Sequence, residues 1–201
     1  MVRLLLVRHA ETTWNAQQRF QGHTDVPLSP CGQRQVVALV QALRAETIHA
    51  CYTSDLCRAW ETAQALAHPR GLPLCQEPRL REMAFGAWEG LRPADIQQHD
   101  PHLLAAWYQD PLHIAPPGGE TLGQVANRVQ AVLADIVTMH QEHTVLLVSH
   151  GGPLRVLLCL ALGLSPRAYW QFALAPAAWA ELQVYAEGAI LERLNMTGTL
   201  T

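Results

Sequence analysis

Lysine is absent from this chain of 201 residues, and all fourteen of its permanently cationic side chains are arginine. Without lysine, the chain cannot form a Schiff base with a carbonyl compound or build a phosphate-binding loop around a lysine ammonium. Arginine is therefore the only permanent cation with which the protein can bind an anion. Its planar guanidinium suits the oxygen atoms of carboxylates and phosphates.

Paired cysteines, excess positive charge and long apolar runs are missing as well. The five cysteines show no C-x-x-C spacing, and no leader peptide is visible before the first apolar run. We therefore expect free thiols and a cytoplasmic location. The formal net charge of −3 argues against nucleic acid or a membrane surface as the main partner. No apolar run is long enough to span a bilayer.

Metal-binding spacings are also absent, although the chain contains ten histidines. Neither H-x-x-x-H nor H-E-x-x-H occurs, so we expect no metal site and no cofactor. His99, His102 and His113 are interpreted as surface or cap residues. A homodimer is compatible with the sequence but is not required by it.

Short apolar runs alternate with amphipathic segments of helical period, and 49% of the residues are hydrophobic. This order predicts an α/β fold, namely a three-layer α/β/α sandwich with a mostly parallel central sheet. Residues 83–118 are rich in Trp, His, Pro and Gly and interrupt the pattern. We expect one domain over residues 1–201, with a small helical and loop cap inserted at about 83–118.

Polar residues follow two of the buried strands at the points where the strands end. Arg8 and His9 follow the first apolar run, and His150 follows the strand predicted over residues 144–149. Arg58 falls in the first turn of a helix, close to the end of another strand. In parallel sheets the ligand crevice lies outside the carboxyl ends of the strands. The sequence therefore predicts that residues from both ends of the chain meet in one crevice.

These side chains suit the chemistry of a phosphate ester. Two guanidiniums can each bind phosphate oxygens through two hydrogen bonds, and Asn15 adds a neutral donor. A helix that begins at Gly151 can direct backbone N–H groups at the same anion. Neighbouring arginines should depress the pKa of a histidine, and a neutral imidazole is a competent nucleophile. A carboxylic acid, for which Glu82 is the candidate, must then protonate the leaving alkoxide.

Four stretches of this sequence resemble the motifs of the histidine phosphatase superfamily, the phosphoglycerate mutase-like group. They occur in family order over nearly the whole chain, at residues 6–15 (LVRHAETTWN), 54–63 (SDLCRAWETA), 80–90 (LREMAFGAWEG) and 148–152 (VSHGG). The first motif has Ala10 where Arg-His-Gly is common. An added methyl group should not abolish activity.

The resemblance implies a role for each matched residue. His9 would be the nucleophile that becomes phosphorylated, and Glu82 would be the proton donor. The phosphate pocket would be formed by Arg8, Arg58 and His150, with Asn15 contacting the same group. The resemblance also places Gln21 and Gly22 in a loop that borders the substrate.

Within the family, the Met-x-Phe-Gly-x-Trp-Glu-Gly pattern and the stretch at residues 117–121 (PGGET) resemble α-ribazole phosphatases of cobalamin nucleotide-loop assembly. A phosphoglycerate mutase is less favoured, because residues 83–118 contain only one arginine, Arg92, to retain a bisphosphate. The expected partner is a small phosphorylated metabolite, for which α-ribazole 5′-phosphate is the candidate.

Several alternatives remain open at the level of sequence. The chain could be a phosphatase of broad specificity or a silent member that binds phosphorylated ligands. Glu82 could form a surface ion pair instead of acting as an acid. The aromatic residues of the cap could stack on a flat leaving group or could simply pack the cap; they are Phe85, Trp88, Trp107 and Tyr108.

Overall fold

A computed structural model describes residues 1–199 as seven α-helices and a six-stranded sheet with short 3₁₀ turns between them. The strands are β1 (Val2–Arg8), β2 (Ala50–Thr53), β3 (Leu74–Gln76), β4 (Thr144–Ser149), β5 (Trp179–Val184) and β6 (Ala189–Met196). Their order across the sheet is β3-β2-β4-β1-β5-β6. Pairs among the first four strands are parallel, and β5 and β6 add two antiparallel pairs at one edge.

The predicted fold class is confirmed, because helices cover both faces of this sheet. The helices are α1 (Thr13–Ala16), α2 (Pro30–Ala42), α3 (Cys57–Ala67), α4 (Pro93–His99), α5 (Pro101–Gln109), α6 (Leu122–Met139) and α7 (Gly151–Ala161). Buried side chains of α2 and α3 form one apolar cluster with the sheet, and those of α6 and α7 form another. No helix among residues 1–199 has the length and apolar character needed to cross a membrane.

The first strand shows why the central strands read as continuous apolar runs. Side chains alternate between the two faces of a strand. Accordingly, Leu4 and Leu6 belong to the cluster beneath α6 and α7, while Leu5 and Val7 belong to the cluster beneath α2 and α3. All four are fully buried. The middle of β1 is thus fixed from both sides, which holds the residues at its carboxyl end in place.

The segment predicted to form a cap contains the two short helices α4 and α5. Ile96, Leu104 and Trp107 are buried in the same apolar cluster as α6 and α7, so these helices share a core with the sandwich. The sequence pattern predicts helices around residues 93–98, 102–109 and 120–140, and α4, α5 and the long helix α6 match them. The division into one domain with a cap remains a prediction.

The start of α3 differs from what the sequence suggested. The polar residues at 53–55 (TSD) predict a cap for this helix, but its N-cap is Leu56, whose side chain makes no capping hydrogen bond. The carboxylate of Asp25, in the loop between α1 and α2, instead accepts a hydrogen bond of 2.8 Å from the backbone N–H of Cys57. Asp55 is unavailable because it is bound to Arg81. A loop distant in sequence therefore caps the helix that carries Arg58.

Replacement of Asp25 should destabilise this connection. We expect Asp25→Ala to lower the free energy of unfolding by about 1 kcal/mol, the usual cost of losing an N-terminal cap. Asp25→Asn keeps an acceptor oxygen and should lose less. Urea unfolding of the three proteins measures the difference. Equal stability of Asp25→Ala and the wild type would show that the contact does not cap α3.

Candidate active site

The carboxyl ends of β1 and β4 place two histidine rings side by side. Arg8 and Ser149 are paired across these parallel strands, and the backbone N–H of His9 donates to the carbonyl of Ser149 at 2.9 Å. The next residue on the second strand is His150, whose ring centroid lies 5.0 Å from that of His9. Both histidines are buried. Residues 141 positions apart in the sequence thus meet because their strands are neighbours.

The hydrogen bonds of His9 determine which ring nitrogen carries the proton. Its Nδ1 lies 2.7 Å from the carbonyl oxygen of Ala10. A carbonyl can only accept, so Nδ1 must be the protonated nitrogen and Nε2 holds a free lone pair. Burial, with Arg58 and Arg8 nearby, lowers the pKa of His9 well below its usual value. The ring is therefore neutral and available for nucleophilic attack through Nε2.

The second histidine is neutral for similar reasons but has the opposite tautomer. Nδ1 of His150 accepts a hydrogen bond of 3.3 Å from Nε of Arg58, so the proton is on Nε2, which donates to Oγ of Ser54 at 2.8 Å. Burial, reinforced by Arg58 and His9, lowers the pKa of His150 well below its usual value. This imidazole links the arginine of α3 to the end of β4.

Arg58 and Arg8 are cations that lack carboxylate partners. Arg58 is fully buried, and its terminal nitrogens donate only to the carbonyls of Thr24 and Gly22. The Nη1 group of Arg8 donates to the carbonyl of Leu174, while its Nε has no hydrogen-bond partner among residues 1–199. Within that part of the chain, neither guanidinium forms an ion pair.

Burial has a cost for these two guanidiniums that carbonyl groups offset only in part. It lowers the pKa of Arg58 and lowers that of Arg8 to about 10. An anion bound between them would supply the missing negative charge. The arrangement is therefore suited to a phosphate group held next to the free nitrogen of His9.

Glu82 lies against the start of α7. Its Oε2 accepts a hydrogen bond of 3.2 Å from the backbone N–H of Gly152, and its Oε1 accepts one of 2.9 Å from Met83. A side chain at position 152 would collide with Oε1, so glycine is needed for the carboxylate to reach this point. The alternative of a surface ion pair is not observed, because Glu82 pairs with no cation in the described chain.

Arg128, on α6, fixes the segment that carries Glu82. Its Nη1 donates to the carbonyls of Arg79 and Arg81 at 2.7 and 2.6 Å, and its Nη2 donates to the carbonyl of Glu82 at 3.0 Å. The same guanidinium is bound at two points by the carboxylate of Glu120. Sequence analysis missed this residue, which lies on the stripe of α6 that faces the 79–82 segment.

The structure also locates the remaining predicted site residues. Asn15 lines an open groove with Arg8, and its Oδ1 accepts from Thr12. Gln21 is buried, with its Nε2 unpartnered within residues 1–199. Gly22 contributes the carbonyl that binds Arg58. A Cβ at Gly151 would lie 3.3 Å from Cζ of Arg8, so this glycine lets the guanidinium approach α7 closely.

Some aromatic residues of the cap pack its interior, and others border a cavity beside Glu82. Trp88 and Trp107 are 3% and 4% exposed, and their rings meet edge to face at 5.6 Å. Trp88 is therefore a packing residue. Phe85 and Trp107 also border a small cavity beside Glu82, and Tyr108 is exposed at the surface.

The chain is similar to known proteins over nearly its whole length. Residues 4–197 match the model of the histidine phosphatase superfamily (branch 1). Phosphoserine phosphatase 1 of Hydrogenobacter thermophilus is 34% identical over 98% of this chain and 93% of its own length. Adenosylcobalamin/alpha-ribazole phosphatase of Escherichia coli is 32% identical over 96% of both proteins.

Solved structures of similar proteins share the fold. A putative alpha-ribazole-5′-P phosphatase from Escherichia coli superimposes with a TM-score of 0.90 at 32% identity, over 97% of this chain and 96% of that one. A mycobacterial glucosyl-3-phosphoglycerate phosphatase complexed with VO3 gives 0.89 at 33% identity, over 97% and 99%. Together these relatives identify the chain as a phosphatase.

The neutral, buried histidines predict loss of stability in acid. His9 and His150 have folded pKa values well below 6.5, whereas unfolded histidine binds a proton near 6.5. Below that pH the unfolded state binds more protons, so stability should fall by up to about 1.4 kcal/mol per pH unit for each histidine. Urea unfolding measures the free energy of unfolding at pH 7.5 and at pH 5.5. We expect this free energy to fall less between the two pH values for His150→Gln than for the wild type. The same difference in both proteins would contradict this assignment.

Loss of Arg128 should reduce the rate of hydrolysis without weakening phosphate binding. We expect Arg128→Met to lower kcat for an alkyl phosphate by at least about 10-fold, because the Glu82 segment loses three hydrogen bonds, while KM changes by less than about 3-fold. Arg128→Lys should recover part of the rate. Arg44→Met, at an exposed arginine, is the control for loss of charge. A matched rise in KM with unchanged kcat would contradict a positioning role.

Proposed function

Because the chain belongs to the histidine phosphatase superfamily, we propose that it hydrolyses the phosphate ester of a small metabolite through a phosphohistidine at His9. In the first step Nε2 of His9 attacks phosphorus, a P–N bond forms and the P–O bond to the alcohol breaks. Glu82 gives its proton to the departing oxygen. Arg8 and Arg58 bind the phosphoryl oxygens, and His150, Asn15 and the N–H groups at the start of α7 complete the pocket.

In the second step Glu82 acts as a base instead of an acid. Glu82, now a carboxylate, takes a proton from water, the water oxygen attacks phosphorus and the P–N bond breaks. Inorganic phosphate leaves, and His9 returns to its neutral form with the lone pair on Nε2. The proton that Glu82 removes from water restores the acid for the next turnover. No metal or cofactor is needed for this scheme, because arginine supplies the positive charge.

One observation carries this proposal above all: a buried imidazole with an unprotonated Nε2 lies near two guanidiniums without carboxylate partners, the buried Arg58 and the partly buried Arg8. A member that only binds phosphorylated ligands would need the arginines but not a free nucleophile with a carboxyl group opposite it. The hydrogen bonds that direct Glu82 toward Gly152 therefore favour hydrolysis.

The substrate within this class is a second question. The sequence favours α-ribazole 5′-phosphate, which would place the enzyme in cobalamin nucleotide-loop assembly. An outer cavity of about 400 Å³ lined by Tyr108, Tyr169 and Trp170 has the aromatic walls that a flat ring could contact. A sugar or glycerate phosphatase and a phosphoglycerate mutase are the alternatives. Sustained isomerisation of 3-phosphoglycerate would establish the mutase.

We propose a cytoplasmic location for the protein. All five cysteines are free, as expected in a reducing cytoplasm. We therefore place the reaction on a small phosphorylated metabolite in the cytoplasm.

Removal of the acid should have an effect that depends on the leaving group. We expect Glu82→Gln to lower kcat/KM for glycerol phosphate by at least about 100-fold, because an alkoxide needs a proton to depart. The loss for 4-nitrophenyl phosphate should be much smaller, since nitrophenolate departs as a stable anion. His9→Ala should be inactive on both, and EDTA should not slow the wild type. Equal losses on both substrates would remove Glu82 as the proton donor.

A further inference from the structure

A cavity of about 150 Å³ lies beside the proposed acid, Glu82. Glu82 and Gly152 form one part of its wall, and aromatic and aliphatic side chains such as Phe85 and Trp107 form most of the rest. Its volume is about half the lower end of the range of ~300–1,000 Å³ typical of sites for drug-sized molecules. The cavity suits a small leaving group.

Arg155, on the second turn of α7, is the one permanent cation in the wall of this cavity. Its Nε donates to the carbonyl of Gly151 at 2.8 Å, and its guanidinium lies over the ring of Tyr169 at 5.0 Å from the centroid. These two contacts hold the side chain of Arg155 in place. The terminal nitrogens form no hydrogen bond or ion pair with residues 1–199.

The balance of charge indicates what those nitrogens would bind. Arg8 and Arg58 together carry two positive charges, which match the two negative charges of a phosphomonoester. In the proposed mechanism Glu82 enters the first step protonated and His9 and His150 are neutral. Arg155 is then an unmatched positive charge next to the leaving group. Its guanidinium is suited to a carboxylate, which it can bind through two parallel hydrogen bonds.

We propose that the leaving group carries a carboxylate and that Arg155 binds it, so that the substrate is the phosphate ester of a small hydroxy acid. This inference rests on the proposed hydrolysis at His9 and specifies which alcohol is released. It favours a hydroxy acid over α-ribazole, the alcohol that the sequence alone suggests. It assigns Arg155 to substrate selection and leaves the transfer of the phosphoryl group to the residues already described.

Two matched pairs of substrates test the inference. Phosphoserine and phosphoethanolamine differ by a carboxylate, and 3-phosphoglycerate and glycerol 3-phosphate differ by a carboxylate in place of a hydroxymethyl group. We expect the wild type to prefer the acidic member of at least one pair by at least about 10-fold in kcat/KM, since only that member can form charge-assisted hydrogen bonds with Arg155. α-Ribazole 5′-phosphate belongs in the same panel.

Variants of the arginine then connect this preference to one side chain. Arg155→Gln should abolish most of the preference, while kcat/KM for 4-nitrophenyl phosphate stays within about 3-fold of the wild-type value. Arg155→Lys keeps the charge and should retain part of the preference, which protects the test against a folding defect in the first variant. Arg44→Gln, at an exposed position, controls for loss of one positive charge.

The outcomes separate this inference from the proposed function. If the wild type hydrolyses 4-nitrophenyl phosphate but prefers neither acidic substrate, or prefers α-ribazole 5′-phosphate to both, the carboxylate assignment is wrong and the hydrolase stands. The carboxylate assignment is equally wrong if Arg155→Gln slows every substrate to the same extent. If the wild type hydrolyses none of the compounds, including 4-nitrophenyl phosphate, the proposed function and this inference both fail.

Discussion

The site depends on two positive charges without carboxylate partners, those of the buried Arg58 and the partly buried Arg8. Arg58 is fully buried and Arg8 is held beside it, and the hydrogen-bond acceptors available to them are mainly backbone carbonyls and one imidazole. Such an arrangement is costly when empty, because desolvated guanidiniums are stabilised most by an anion. Burial first, and then these two cations, lower the pKa of both neighbouring histidines and keep them neutral, as a nucleophilic imidazole requires.

The fold keeps these charged and polar side chains close together by holding each segment that carries them through its own contacts. β1 and β4 are buried on both faces and deliver Arg8, His9 and His150 to one edge of the sheet. The acid comes from a loop, which is less constrained than a strand. That loop is held by Arg128 from the opposite side, and Ser149 adds a hydrogen bond to the carbonyl of Leu80. Hydrogen bonds thus hold the loop that carries Glu82, while packing on both faces holds the strands.

The sequence predicted the sheet and the central pair of histidines because both depend on local patterns. A buried strand has a continuous apolar run, and its polar successor must lie at the edge of the sheet. The motifs then indicated Arg58 and Glu82. By contrast, the capping of α3 by Asp25 and the clamp formed by Arg128 depend on contacts between segments that are distant in sequence, for which no local pattern exists.

The position of Arg155 in the sequence is compatible with two roles, one in the site and one at the surface. It lies four residues after Gly151 on α7, so helical periodicity places the two on the same face, toward the site. An arginine in an apolar helix can equally cover surface with its aliphatic stem. Only the cavity, the partners of Nε and the open terminal nitrogens distinguish these possibilities. Likewise, composition could not separate Trp88, which is packing, from Phe85, which borders the cavity.

The central claim is that phosphate passes through His9, and trapping the intermediate tests it most directly. The enzyme would be mixed rapidly with a ³²P-labelled phosphomonoester, quenched in alkali, which preserves phosphohistidine, and digested. The account predicts label on the peptide that contains His9 and none in His9→Ala. Label on another residue, or none during full turnover of the wild type, would contradict it.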